Sequence, residues 1–204
     1  MNKQREIEVK MQIEHKDDVE KIYAYLSSLT TNAWQEIDMK AIYYDTTEGF
    51  LQKYKAAYRV RQENKSFVAT YKQGISNKNG IAERIEVNKF VDNLTPDITI
   101  FKNEKAIWPL LQRLEGQKLE PLVKTDFVRK AVLIDWQGAK IEASLDIGTV
   151  TGKHKKAPIC ELELELKLGD EISLLNLETK INTLFKLEPS TISKYKRGLI
   201  LAGL

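Results

Sequence analysis

Apolar residues alternate with polar ones along much of the chain and recur every third or fourth position in four stretches, which predicts many strands and a few amphipathic helices. The helical stretches are 15–29, with Val19, Ile22, Tyr23, Leu26 and Leu29 on one stripe, and 103–116, with Ile107, Leu110, Leu111 and Leu114. Two more cover 170–185, carrying Leu174, Leu177, Ile181 and Leu184, and the tail 189–204, carrying Ile192, Tyr195 and Leu199. Pro109 predicts an early position or a kink in the second, and Pro189 with Ser190 and Thr191 reads as a start signal for the last. Alternation predicts strands near 5–13, 37–44, 57–63, 66–73, 81–87, 121–135, 139–147 and 158–167, with turns at 77–80 and 136–138. Short turns between neighbours imply antiparallel pairing, so the predicted fold is α+β, built on an eight-stranded antiparallel β-barrel with flanking helices. No linker-like or low-complexity stretch divides the chain, and residues 1–204 are expected to form one domain.

The polar faces of these strands are unusual because they are charged rather than merely hydrophilic. Glu6, Glu8 and Lys10 share a face, as do Arg59 and Arg61, Arg84 and Glu86, and Glu142, Ser144 and Asp146. Glu161, Glu163, Glu165 and Lys167 form the longest row, and Glu-x-Glu-x-Lys occurs both at 6–10 and at 163–167. Two arrangements accommodate this pattern. In a half-exposed sheet the charges simply face water. In a barrel the apolar faces turn outward under the amphipathic helices and the charged rows turn inward, giving a lumen that is tolerable only if its charges are paired or meet a ligand. Carboxylates there suit a hard divalent cation such as Mg2+ or Mn2+, and arginines suit phosphate oxygens. Together they describe a metal–polyphosphate site.

Composition excludes several other classes. Charged residues make up 30% of the chain and hydrophobic ones 42%, ordinary for a globular protein, and the net charge of +3 gives no footing for a nucleic-acid or membrane partner. His15 and His154 lie far apart, which leaves little support for a histidine metal site or a Ser-His-Asp triad. Cys160 is the single cysteine, and no apolar leader opens the chain, so a reducing, cytoplasmic setting is expected. Cys160 alternates out of the Glu161 row and is expected to be a packed, outward-facing thiol. Lys124 and Asp126 have the parity opposite to Arg129, which predicts a bulge or bend between them.

In order along the chain, EIEVK, IYYDTTEGFLQKYKAAYRVR, VATYKQG, TDFVRK, ASLDIG, CELELELK and SKYKRG together resemble the CYTH superfamily, the triphosphate tunnel metalloenzymes, over nearly the whole length. Within it the chain looks closest to bacterial inorganic triphosphatases, reduced to the CYTH module without the helical domain that sometimes follows. The resemblance implies an eight-stranded tunnel that binds a triphosphate and a divalent metal, Mg2+ or Mn2+. It implies metal ligands at Glu6, Glu8, Asp146, Glu161 and Glu163. Substrate would be gripped by Lys10, Arg59, Arg61, Lys72, Arg84, Arg129 and Lys194, with Glu6, Glu8, Lys10 and Glu86 taking part in catalysis. The expected reaction is metal-dependent hydrolysis of tripolyphosphate to diphosphate and phosphate. Thiamine triphosphatase, nucleoside triphosphatase, class IV adenylate cyclase and a non-catalytic polyphosphate or nucleotide sensor are the alternatives. The expected partner is a triphosphate-containing small molecule, with no nucleic acid and no membrane, and a homodimer is left open.

Overall fold

The computed structural model describes residues 5–78, 81–190 and 192–204. Strands β1 (Arg5–Gln12), β2 (Gln35–Asp45), β3 (Ala56–Glu63), β4 (Ser66–Lys78), β5 (Ile81–Val91), β6 (Glu120–Trp136), β7 (Ala139–Gly152) and β8 (Lys155–Leu168) form one antiparallel sheet. Their order is β5-β4-β3-β2-β6-β7-β8-β1, and a further pairing of β5 with β1 closes it into a barrel. A two-residue strand, β9 (Glu188–Pro189), joins the free edge at Met11 and Gln12. Several strands run beyond the alternating cores seen in the sequence, as in β7, whose pairing with β8 extends to Gly152 and Lys155. Residues 79–80, within the predicted 77–80 turn, and Thr191 lie outside the described residues.

Helices α1 (Lys16–Ser28) and α4 (Glu171–Phe185) lay their apolar stripes on the outer face of β1, β6, β7 and β8. Val19, Ile22 and Leu26 from α1, and Leu174, Leu177 and Ile181 from α4, are buried there beside Val9, Met11, Ala143, Leu162 and Leu164. This is the arrangement that lets a strand be apolar outside and charged inside. Cys160 belongs to the same outer cluster, and burial raises its thiol pKa. A second outer cluster covers β3 and β4 with the short helix α2 (Phe50–Lys53) and the 98–114 segment.

Two expectations are corrected. The 103–116 stripe does not form a full helix: α3 is one turn (Trp108–Leu111) followed by a 3-10 turn over Gln112–Leu114, because Pro109 cannot donate a backbone hydrogen bond and is held in the first turn. Ile107, Leu111 and Leu114 are buried nonetheless. Nor is there a bulge between Asp126 and Arg129. The β6–β7 register runs without a shift from Val123 to Trp136, and the irregularity against β2 falls at Tyr43 and Tyr44. Lys124 and Asp126 are simply the exposed face of a regular strand whose other face carries Phe127 and Arg129.

The tail helix α5 (Lys194–Ala202) differs from the other long helices. Ser193 caps it, its hydroxyl accepting from the Lys196 amide at 3.1 Å. Tyr195 and Leu199 pack with Met39, Ala41, Tyr43, Val123, Phe127, Val150 and Ile159, which are inward positions of the barrel wall, so α5 stoppers one end rather than covering a side. Two glycines permit this approach. A Cβ on Gly198 would lie 2.2 Å from Val123 Cγ1, and one on Gly152 would lie 1.9 Å from the Gly198 carbonyl oxygen. Ile192, grouped with the stripe by its spacing, is instead 43% exposed.

Candidate active site

The barrel encloses a cavity of about 610 Å³. Every charged row singled out in the sequence reaches it, because period-two alternation on regular strands sends each row to the same side. Glu6, Glu8 and Lys10 from β1, Arg59 and Arg61 from β3, Lys72 from β4, Arg84 and Glu86 from β5, Arg129 from β6, Glu142 from β7, and Glu163, Glu165 and Lys167 from β8 all line it, with Lys194 from α5. Asp146 and Glu161 stand just behind the wall, 0% and 1% exposed.

The two Glu-x-Glu-x-Lys motifs are neighbours. Strands β1 and β8 pair antiparallel with Glu8 opposite Glu165 and Lys10 opposite Glu163, so each motif's acids meet the other's row. The Lys10 ammonium lies 2.7 Å from Glu163 and 3.3 Å from Glu8. Burial opposes its charge, but the fields of Glu163 and Glu161 outweigh burial and raise its pKa.

The carboxylates fall into two groups. Asp146, Glu161 and Glu163 bring oxygens within 4.8 Å of one another, the one such acidic set among the described residues. Lys194 reaches into it, with its Nζ at 2.6 Å from Asp146 and 2.8 Å from Glu163 and in contact with Glu161. Arg129 donates two parallel bonds of 2.7 Å to Asp146 and a further one to Glu163. Desolvation works against ionising Glu163, yet Lys10, Lys194 and Arg129 together hold its carboxyl well below the usual range. Glu6 and Glu8 form the other group. Glu6 accepts from Lys72 at 2.8 and 2.9 Å, Glu8 meets Arg84, and Lys72 also lies 2.6 Å from Glu86. Burial again opposes ionisation of Glu86, and Lys72 and Arg59 reverse it to a lowered pKa.

Arg59 and Arg61 have fewer acidic partners. Arg61 pairs with Glu63, while burial and the neighbouring Arg59 charge pull its pKa down to about 10. Arg59 donates to the Tyr43 hydroxyl at 3.1 Å, and that ring stacks on Tyr195 with centroids 4.9 Å apart. Glu165 pairs with Lys167 at 2.8 Å, as its parity suggests.

Sequence reasoning passed over two residues of the site. Arg197 lies 3.2 Å from Glu161, and its three-residue spacing from Lys194 on a helix was the available signal. Tyr43 had no such signal, since it sits on a strand with an apolar inward face. The motif residue Asp45 is fully buried for another reason: its carboxylate accepts from the amides of Thr46, Leu51 and Gln52 and so fixes the turn into α2. Trp34, Trp108 and Trp136 pack in the outer apolar clusters.

A closed antiparallel barrel with inward acids and bases, stoppered by a C-terminal helix, agrees with a match to the CYTH domain over residues 4–199. The chain belongs to the CYTH family. Its sequence is 30% identical over 200 residues to an inorganic triphosphatase of Haemophilus influenzae, covering 98% of this chain and 55% of that protein. The chain thus spans about half the length of the curated relative it matches. Among solved structures, a putative adenylyl cyclase from Hippeastrum described as having dominant triphosphatase activity superposes with a TM-score of 0.62 at 16% identity, over 96% of this chain and 95% of that one. The triphosphatase of the Mimivirus capping enzyme gives 0.51 at 14% identity, over 89% of each. At these identities the two structures establish the CYTH barrel alone. No helix among the described residues is long and apolar enough to cross a membrane.

Proposed function

We propose that this CYTH protein hydrolyses inorganic tripolyphosphate to diphosphate and phosphate with Mg2+ or Mn2+ bound in the barrel. One observation carries the reading: a buried set of three carboxylates reaches, through Glu163, a cavity whose wall also holds Lys10, Arg59, Arg61, Lys72, Arg84, Arg129 and Lys194. Hard oxygen donors within 4.8 Å fit a small hard dication, which takes a few carboxylates and completes its shell from phosphate and water. Asp146, Glu161 and Glu163 would hold it, with Glu6 and Glu8 as the second pair of acids available to the same cavity. When bound, such an ion neutralises charge on the phosphoryl oxygens.

The chain's own residues do the remainder. Arg59 and Arg61, with few acids of their own, offer guanidinium forks to the phosphates and fix the leaving and transferred groups in line. Lys72 and Arg84 pair with Glu6 and Glu8 until phosphate competes for those cations, and then Glu8 or Glu86 can orient an attacking water. Lys10, beside Glu163 and Glu8, spans the two acidic groups and stabilises charge that develops between them. The Haemophilus relative's name supports a triphosphate substrate. None of the three tryptophans lines the cavity, whose aromatic lining is Tyr43, Phe127 and Tyr195. A cytoplasmic setting is supported by the single cysteine, buried in the outer core.

Phosphate release from tripolyphosphate, ATP and thiamine triphosphate, each with Mg2+, Mn2+ or EDTA, tests the proposal. Rapid release from tripolyphosphate that EDTA abolishes is expected. Cyclic AMP and diphosphate from ATP, or tight triphosphate binding without turnover, would replace it with the cyclase or the sensor reading.

A further inference from the structure

Lys194 is the most deeply placed cation of the cavity, 6% exposed, and it touches all three members of the acidic set. A lysine whose only task was to grip phosphate would aim its ammonium at the open lumen, where Arg59 and Arg61 stand. Instead its charge sits where one ion could meet Asp146, Glu161 and Glu163 together. An ammonium contacts oxygen near 2.8 Å and a small dication near 2.1 Å, so one point within reach of three oxygens cannot hold both.

We propose that Lys194 is the resident cation of the Asp146–Glu161–Glu163 set, and that its displacement couples divalent-metal binding to triphosphate binding. This rests on the metal-dependent reading above and adds to it an order of preference: metal and triphosphate each bind weakly alone and tightly together. The local charge supplies the reason. The three carboxylates already face Lys194, Arg129, Lys10 and Arg197. A dication added to that group leaves excess positive charge, which a triphosphate neutralises. The displaced ammonium, on a flexible four-carbon stem at the first turn of α5, can turn to the lumen, where Ser193, Tyr195 and Lys196 already line the cavity. Arg129 stays on Asp146 and Glu163 throughout and keeps them oriented.

The coupling is measurable without turnover. Manganese chloride is titrated calorimetrically into the full chain, with and without a non-hydrolysable imido analogue of tripolyphosphate, after subtraction of the metal–analogue heat. The analogue is expected to tighten Mn2+ binding to the unsubstituted protein at least about tenfold, within the usual span of linked sites. Lys194→Met and Lys194→Gln are expected to bind Mn2+ alone about tenfold tighter than the unsubstituted protein and to lose most of the coupling. Lys10→Met removes an equal charge beside Glu163 without vacating the set, and is expected to gain less. An analogue that leaves Mn2+ affinity of the unsubstituted protein unchanged overturns the inference, and needs no variant to do so. So do Lys194 variants that melt cooperatively and bind Mn2+ no more tightly, and so does a Lys10→Met gain that matches theirs, which would make net charge rather than occupancy the cause. Failure of every protein to bind Mn2+ even with the analogue would instead remove the metal-dependent reading on which the inference stands.

Discussion

At the scale of single residues, the cavity is a set of charges most of which meet a named opposite, Arg59 on the Tyr43 hydroxyl apart. Arg129 holds two acids at once, in a planar fork that lysine cannot reproduce. Arg129→Ala leaves Asp146, which is fully buried, with Lys194 as its remaining cation, and breaking a buried pair this way is expected to cost about 3 kcal/mol. Urea unfolding of that variant checks the figure; Arg129→Lys should lose less stability, yet still lose most of the proposed triphosphatase turnover because the fork is gone. Glu165 behaves in the opposite sense. Burial, with the like charges of Glu6 and Glu142, outweighs Lys167 and raises its pKa. A carboxyl whose folded pKa is raised costs the fold nothing while protonated in both states, and costs stability once pH rises past its unfolded value of about 4.3. Glu165→Gln is therefore expected to raise the melting temperature at pH 7 to 8 and to make little difference at pH 4, provided Lys167 keeps Glu142, 3.2 Å away. Equal melting temperatures across that range would remove the argument. Glu165 was legible as an inward charge from parity, and Arg129 only through the family resemblance. Which acids Arg129 would hold was not, because partners across strands depend on register, and register is a property of two strands.

At the scale of elements, strands were easier to read than helices. Alternation fixes the face of each residue, so all the charged rows reached one cavity. The stripe on α5 was ambiguous, because Tyr195 and Leu199 satisfy the same periodicity whether a helix covers a barrel's side or stoppers its end. The distinction lies in Gly152 and Gly198, which allow the helix backbone to sit against Val123. A helix in that place fixes Lys194 and Arg197 on the acids. Gly198→Ala would put a methyl carbon 2.2 Å from Val123 Cγ1 and force α5 outward, with an expected cost of about 2 kcal/mol, typical of overpacking. Turnover should fall with it, since Lys194 begins the helix. Val123→Ala in the same chain opens the space, so the double variant is expected to recover part of both losses. A double variant no better than the sum of the two singles would place the damage elsewhere.

At the scale of the whole molecule, the barrel's closure is uneven. Strands β7 and β8 pair continuously from Lys140–Leu168 to Gly152–Lys155, apart from one shift at Lys140 and Ile141. Among the described residues, the β1–β5 seam spans Arg5–Glu8 against Ala82–Ile85. Its backbone ladder is short, and the side chains that bridge it are charged: Glu8 to Arg84, with Lys72 on β4 reaching across to Glu6. These are the cations proposed to grip phosphate, so occupying the cavity changes what crosses the seam. In the free protein, amides of β1 and of β5 near Arg84 are expected to exchange with solvent earlier than those of β7 and β8, because a short ladder opens at lower free energy than a long one. Nothing in the sequence marked this seam, since alternation shows that a strand is paired without showing for how long. Adding Mn2+ with the imido triphosphate should protect β1 and β5 selectively, as phosphate oxygens tie Lys72 and Arg84 to charges held by other strands. Hydrogen exchange read by mass spectrometry separates the outcomes. Protection that rises uniformly around the barrel would point to global stabilisation by ligand. Protection confined to the seam would make the substrate itself the last element of barrel closure.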